Sequence, residues 1–348
     1  MLGTLKFILA IVIIVSHTHT YLPIPGIEWF HQGVAAVIGF FIISGFITKL
    51  TLSRKYSLNN LLPFYRDRLL RIYPQYLFYL ILSFIFLALT GHISLTLRAL
   101  TILTNVFLLP INLDSLLPVS FFQNSYDALI PPAWYLGTEL QFYLIAPLLF
   151  RLVPAQILGF LAAVFVFTLA AFGSLDTRLF GSRLLPAVLL FYLTGFLLYD
   201  IKTSQYQRKL KQGLLLTLWL AAFILIFILK KAGTINLSYN CPVLVGYLVL
   251  LPLIYLLVQK AKRTKFDDLL GNISYGMYLN HFLLIWVFEY YNLFQNQKLL
   301  LIPFLVLSST LLGWISYLAI DKRIKSLRLT LRNKQKVIAT KPAPALVK

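Results

Sequence analysis

The sequence predicts an all-α integral membrane protein, a bundle of about ten transmembrane helices with both termini on the cytoplasmic side. Three observations carry that expectation: a composition starved of charge, ten apolar runs long enough to cross a bilayer, and a Lys/Arg distribution that alternates with those runs. Of the 348 residues, 59% are hydrophobic and only 12% charged, with a mean hydropathy of +0.81. A soluble domain carries about 25% charged residues, so this chain cannot clothe a water-facing surface of its size. No stretch has the mixed polar composition of a separate soluble module, and residues 1–321 read as one membrane domain.

A bilayer crossing takes roughly 20 residues at about 1.5 Å each. Runs of that kind lie near 5–21, 33–52, 70–90, 134–153 and 155–173. Five more lie near 184–200, 213–230, 241–258, 273–293 and 299–319. The first apolar core, Phe7 to Val15, comes after Lys6 and is short enough to resemble a secretory signal. Its continuation is Ser-His-Thr-His-Thr, with no small-residue cleavage site, so it is expected to remain as an uncleaved span.

Charge placement tests the count. With ten spans and a cytoplasmic N-terminus, the inward segments are 1–6, 49–71, residue 151, 201–212, 259–272 and 320–348, and they hold 25 of the 31 Lys and Arg. The outward segments hold only Arg98, Arg178, Arg183, Lys230, Lys231 and Lys298. That asymmetry is the positive-inside pattern. The net charge of +20 is then orientation signal and attraction to anionic headgroups of the lipid bilayer, and no nucleic-acid-binding motif accompanies it. Residues 322–348 read as a basic cytosolic tail, expected to be disordered. The single cysteine, Cys241, excludes an internal disulfide and a cysteine-built metal site, and no metal is expected. The one long connection, residues 91–133, is apolar around 100–109 and carries Pro110, Pro118, Pro131 and Pro132. An interfacial helix with a re-entrant or lid-like stretch fits it, and so does a plain extracytoplasmic loop.

An ionisable side chain within a span costs at least about 2.5 kcal/mol at the bilayer centre. Few are present here, which makes each informative. Lys6 and His17 lie 11 residues apart on the first span, close to three helical turns. They therefore share a face, about 16 Å apart along the axis. A snorkelling cap explains Lys6 equally well; for His17 the plain alternative is a structural histidine near a helix end, against which its depth speaks. Glu139, in the outer half of the fourth span, needs a partner or a proton. His17 is the candidate at its depth, which would make a carboxylate-supported imidazole. Arg68 and Arg71, at i and i+3 before the third span, face the same way and suit phosphate oxygens, although positive-inside decoration would look the same. Tyr275, Tyr278 and His281 recur three apart on the ninth span as a polar stripe; packing accounts for the tyrosines at least as well as chemistry does.

These residues also carry a family resemblance. Lys6 through His17 is similar to the basic-x10-His signature of the acyltransferase-3 family, and Phe40-Phe-Ile-Ile-Ser44-Gly45-Phe46 resembles its FFxxSGF segment. Arg68-Leu-Leu-Arg71-Ile-Tyr-Pro resembles its RxxR element, and Trp134-Tyr-Leu-Gly-Thr-Glu139-Leu-Gln-Phe-Tyr-Leu its WSLxxExxFYL helix. Leu270 through His281 looks like LGxxSYxxYLxH. Five elements in order over residues 6–281 make the resemblance specific. Two positions depart from it: Tyr135 stands where the family often has Ser, and Asp321-Lys-Arg where it usually has Glu-x-Pro.

The resemblance implies a stand-alone O-acyltransferase, without the SGNH hydrolase-like domain fused to some members, in a bacterial inner or plasma membrane. It implies transfer of an acyl group, commonly acetyl, from cytosolic acyl-CoA (acetyl-CoA in the usual case) to a hydroxyl of a cell-surface or lipid-linked glycan. Lys6, Arg68 and Arg71 would hold the donor, with His17 as base or acyl carrier and Glu139 in support. The alternative is a proton-coupled transporter or flippase, which also uses intramembrane His and Glu. Such carriers often show internal repeats, and none is found between 1–153 and 155–319.

Overall fold

The computed structural model describes residues 1–21, 33–56, 58–93, 99–108, 111, 116, 122, 126–260, 264–293 and 298–330. Among them the chain is helical and without strands, as a backbone in hydrocarbon must be when it has to satisfy every polar group locally. In chain order the helices are α1 (Leu2–Tyr21), α2 (Gly33–Lys55), α3 (Leu62–Leu89), α4 (Ala99–Phe107), α5 (Trp134–Arg151) and α6 (Val153–Ala171). The chain continues with α7 (Thr177–Ser182), α8 (Leu185–Thr203), α9 (Arg208–Lys231), α10 (Asn240–Lys260), α11 (Lys265–Tyr290) and α12 (Lys298–Ser316). A π-turn at Tyr317–Asp321 leads α12 into further helix at 322–330.

Start signals are local. Pro63, Pro154 and Pro186 sit in the first turns of α3, α6 and α8, where a missing N–H costs nothing. Asp176 caps α7 by accepting from the Leu179 N–H at 2.7 Å, and Thr264 caps α11 by accepting from Asp267 N–H at 3.1 Å.

Seven stretches of the described residues are long and apolar enough to cross a membrane: α2, α3, α6, α7–α8, α9, α10 and the stretch from α12 to Thr330. The chain is a multi-pass membrane protein. Three further long helices, α1, α5 and α11, fall outside that set, and they carry most of the candidate site. The apolar part of α1, Leu2–Thr18, is shorter. Glu139 and Gln141 dilute α5, and Asp267, Asp268, Asn280 and His281 dilute α11.

Helix α2 is buried along most of its length and packs against α1, α5, α8 and α10. Gly45 on α2 meets Gly195 on α8, and a Cβ on either would overlap the other helix's backbone; small residues allow the close approach that packing in lipid requires. By contrast α6 and α9 are peripheral. Leu158 and Phe165 on α6 and Leu216 and Phe227 on α9 lie exposed, which suits contact with acyl chains and not with water. A buried polar zipper joins α3, α11 and α12. Gln75 and Tyr79 each donate to Ser316 Oγ at 2.7 Å, and Ser309 Oγ donates to Asn280 Oδ1 at 2.6 Å.

Contacts gather the basic helix ends on one end of the bundle. Lys49 on α2 pairs with Asp200 on α8 at 2.7 Å, and Lys202 donates to the Val258 carbonyl on α10. Nearby, Thr4 on α1 donates through its N–H to Asp267 Oδ1 on α11 at 2.8 Å. At the opposite end the α2 start is tied to α1 by the Gly33 N–H bond to Ser16 Oγ at 3.0 Å.

Within the long connection, residues 99–107 are helical. α4 turns Thr101, Thr104 and Asn105 inward and leaves Leu100, Ile102, Leu103 and Phe107 exposed. Asn105 anchors it by donating to the Asp127 carbonyl at 2.8 Å and accepting from Leu129 N–H at 3.0 Å. A helix with an apolar outer face stands where an interfacial helix was expected; the lid-like stretch falls largely outside the described residues. The tail expectation is modified. Residues 322–330 continue the helix, and Arg328 is buried, because Asp67 on α3 supplies a counter-charge; residues 331–348 lie outside the described set.

Candidate functional site

A cavity of about 430 Å³ runs from the basic end into the bundle between α1, α2, α3, α5 and α11. At its outer mouth stand Gly3, Lys55, Lys202, Asp268 and Arg328. Asp267 is there too. Burial works to raise its carboxyl, but hydrogen bonds from the N-terminal ammonium and from Thr4 outweigh burial and hold its pKa at about 2.

Deeper in, α3 delivers Arg68 and Arg71 to the same wall, as their i, i+3 spacing requires. Asp67, itself fully buried, pairs with Arg68 and accepts from Arg328 Nε at 2.9 Å. Arg68 lies over the Phe64 and Tyr143 rings, and its Nε has no hydrogen-bond partner. Arg71 pairs with Asp321 at 3.0 Å and lies over the Tyr275 ring at 5.3 Å. The π-turn that ends at Asp321 is the kind of irregularity that re-aims a side chain at a functional site. Tyr275 is itself held by donating to the Ile72 carbonyl at 2.8 Å. Lys6, from α1, faces this cluster across the cavity and has no ion pair or hydrogen bond among the described residues.

Beyond the cations lies Glu139. Its Oε1 accepts from Ser44 Oγ of α2 and from Tyr143 OH one turn along α5, both at 2.6 Å. Ile13, Tyr135 and Tyr278 also line the cavity. Tyr278 donates its hydroxyl to the Pro132 carbonyl, which fixes its ring. Ile13 is one turn, about 6 Å of rise, before His17. The His17 ring stacks on His281, with centroids 5.4 Å apart and planes 22° apart, and Phe282 packs on both. His281 Nδ1 faces the Met277 carbonyl at 3.2 Å. A carbonyl only accepts, so Nδ1 carries the proton; the buried Nε2 has no hydrogen-bond partner among the described residues.

Six of the eight candidate residues therefore line one cavity: Lys6, Arg68, Arg71, Glu139, Tyr275 and Tyr278. His17 and His281 form a pair just past its inner end. The expected direct pairing of Glu139 with His17 is not what is built. Two hydroxyls from α2 and α5 take the carboxylate, and an imidazole from α11 meets His17.

The model of an acyltransferase domain, that of the acyltransferase-3 family, matches residues 2–318. The chain belongs to the acyltransferase-3 family. An uncharacterized protein from Aquifex aeolicus (strain VF5) is 32% identical over 205 residues, 58% of this chain and 90% of that relative. No solved structure matches the chain. As an acyltransferase-3 member it is a multi-pass membrane protein of an acyl-transferring family, and its cavity runs from a cationic end toward a pair of imidazoles that do not line it.

Sequence reasoning missed Ser44, Tyr143, Asp67 and Arg328 in this acyltransferase-3 site, and left the role of Asp321 open. Ser44 had a signal, a lone hydroxyl in the apolar α2 run, but nothing tied it to Glu139. Tyr143 is one turn after Glu139 and within hydrogen-bond reach by spacing alone. Asp67 and Arg328 meet across 261 residues, and no local pattern announces that. Asp321, a departure from the family pattern, proves to be the counter-ion of Arg71.

Proposed function

We propose that this protein is a membrane O-acyltransferase that moves an acyl group, acetyl in the first instance, from a cytosolic acyl-CoA to a hydroxyl of a cell-surface or lipid-linked glycan. The reading has ten membrane-spanning helices in a bacterial inner or plasma membrane, with both termini and the basic end of the bundle in the cytosol. Its main support is Lys6, a cation with no close ion pair among the described residues and only longer-range attraction from Glu139 and Asp267, inside a cavity that starts among arginines and has Ile13, one turn before His17, in its lining. A charge left unpaired in such a place is costly, and a ligand's anion would complete it. The phosphates of CoA suit two guanidinium forks and an ammonium, and its slender arm can pass along the cavity by Glu139.

In the transfer step the acceptor oxygen attacks the thioester carbonyl while its proton passes to His17. The C–O bond forms, the C–S bond breaks, and the departing CoA thiolate takes the proton, leaving a glycan ester and CoA thiol. A two-step route balances equally: His17 takes the acyl group first and releases it to the hydroxyl. Glu139 is fixed by Ser44 and Tyr143 in the same cavity as the cations. His281, with Nε2 open, is positioned to accept a hydrogen bond from the acceptor hydroxyl or from His17.

The test is CoA binding by calorimetry on detergent-purified protein, for wild type, Arg71→Ala and His17→Ala. The reading expects binding weakened at least about 10-fold in Arg71→Ala and retained in His17→Ala, with acetyl-CoA consumption lost only when the histidine is missing. No CoA binding to wild type would favour the proton-coupled carrier.

A further inference from the structure

Around Tyr135 the cavity wall is built of aromatic side chains that pack on one another. Tyr135 is the main component. Its ring stacks on Phe41, with centroids 5.1 Å apart and planes 29° apart, and meets Tyr278 edge-on at 5.9 Å. Phe40 closes the third side at 6.1 Å. Phe41 is fully buried, and Tyr278 is pinned through its hydroxyl to the Pro132 carbonyl. Tyr135 is therefore braced on three sides by rings, with its remaining side toward the cavity. The next layer past Tyr278 is His281, with centroids 6.2 Å apart, on which His17 stacks.

We propose that Tyr135, wedged between Phe41 and Tyr278, is the residue that sets acyl-chain length, admitting only a short acyl group to the space beneath the histidine pair. The inference rests on the acyl-CoA reading and deepens it. A donor whose phosphates meet Lys6, Arg68 and Arg71 must bring its thioester past Glu139 to within reach of His17. The acyl group then lies against the Tyr135–Tyr278 wall. A rigid aromatic wall cannot yield to extra methylenes as a Leu or Met wall would. Each methylene that does not fit costs on the order of 10–200-fold in kcat/KM.

The experiment measures CoA thiol release from acetyl-, propionyl-, butyryl- and hexanoyl-CoA by protein in nanodiscs, with a glycan extract as acceptor. Wild type is compared with Tyr135→Phe, Tyr135→Leu and Tyr135→Ala. Wild type is expected to favour acetyl over butyryl at least about 100-fold, two methylenes' worth. Tyr135→Phe keeps that ranking, because the ring and not the hydroxyl is the wall. Tyr135→Ala shrinks the preference at least about 10-fold, and Tyr135→Leu, which keeps an apolar side chain there if the alanine variant does not fold, shrinks it less. Butyryl- or hexanoyl-CoA used by wild type as well as acetyl-CoA would overturn the proposal, as would an unchanged ranking in a folded Leu variant that still turns over acetyl-CoA. Release from no acyl-CoA by wild type would instead overturn the acyl-CoA reading, and the selectivity proposal with it.

Discussion

Replacing Lys6 by Met separates an ammonium kept for a ligand from one kept for the fold. Lys6 lines the cavity without a counter-ion among the described residues, while Arg68 and Arg71 opposite it are paired with Asp67 and Asp321. Methionine keeps the length and apolar stem of the side chain and removes the charge. In the empty protein only the longer-range attraction of Glu139 and Asp267 is lost, while the repulsion toward two guanidinium groups is relieved. The melting temperature of Lys6→Met should stay level or rise by about 2 °C. In the donor complex a charge-assisted hydrogen bond to a phosphate is lost, about 1.5–3 kcal/mol, which corresponds to roughly 10–150-fold in the Kd for CoA. The assay is a thermal melt in detergent with and without CoA, with calorimetry for the Kd. Lys6→Met that melts several degrees lower and binds CoA like wild type would refute the reasoning, because Lys6 would then be a structural cation.

Other perturbations have equally definite outcomes. Asp67→Asn leaves two buried guanidinium groups without their carboxylate, and should cost about 3–5 kcal/mol of stability, seen as a large fall in melting temperature. Glu139→Gln keeps an acceptor for Ser44 and Tyr143 but removes the charge, so it should fold normally, bind CoA and lose turnover; undiminished turnover would remove Glu139 from the chemistry. His17→Ala should lose about 10²–10⁴-fold in kcat, measured as acetyl-CoA consumption. The Asp267 carboxyl sits below its ordinary value of 3.8, at about 2. Its contribution is therefore fully present above about pH 4 and is lost as the pH falls toward 2. Wild type should be more stable than Asp267→Asn at pH 6, and the gap should close in acid melts near pH 2.

Much of this frame was legible because lipid imposes it. Ten expected runs correspond to ten helices of 18 residues or more among the described residues, most with bounds shifted by a few residues. The larger shifts have a cause. α3 begins at Leu62 and α11 at Lys265, a turn or two before their apolar runs, because those turns carry Arg68, Arg71 and Asp267 at the basic end. The shared face of Lys6 and His17 was a matter of helical period alone. Partners were not legible. Hydropathy gives a helix its length but not its neighbours, and those depend on close approaches such as Gly45 with Gly195. So Glu139 was expected to support His17, whereas α2 brings Ser44 to it and α11 brings His281 to the imidazole. Asp67 with Arg328 was hidden for the same reason.

The most direct test of the central claim, that one cavity carries an acyl group from a donor at the basic end to an acceptor past the histidine pair, uses sided proteoliposomes. Radiolabelled acetyl-CoA is supplied outside, at the basic end of the bundle, and surface glycan is enclosed inside. The account expects label on the enclosed glycan with wild type, and none with His17→Ala although that variant still binds CoA. Label on the glycan at wild-type rates with His17→Ala, or acetyl-CoA left unconsumed by wild type with every acceptor, would contradict it.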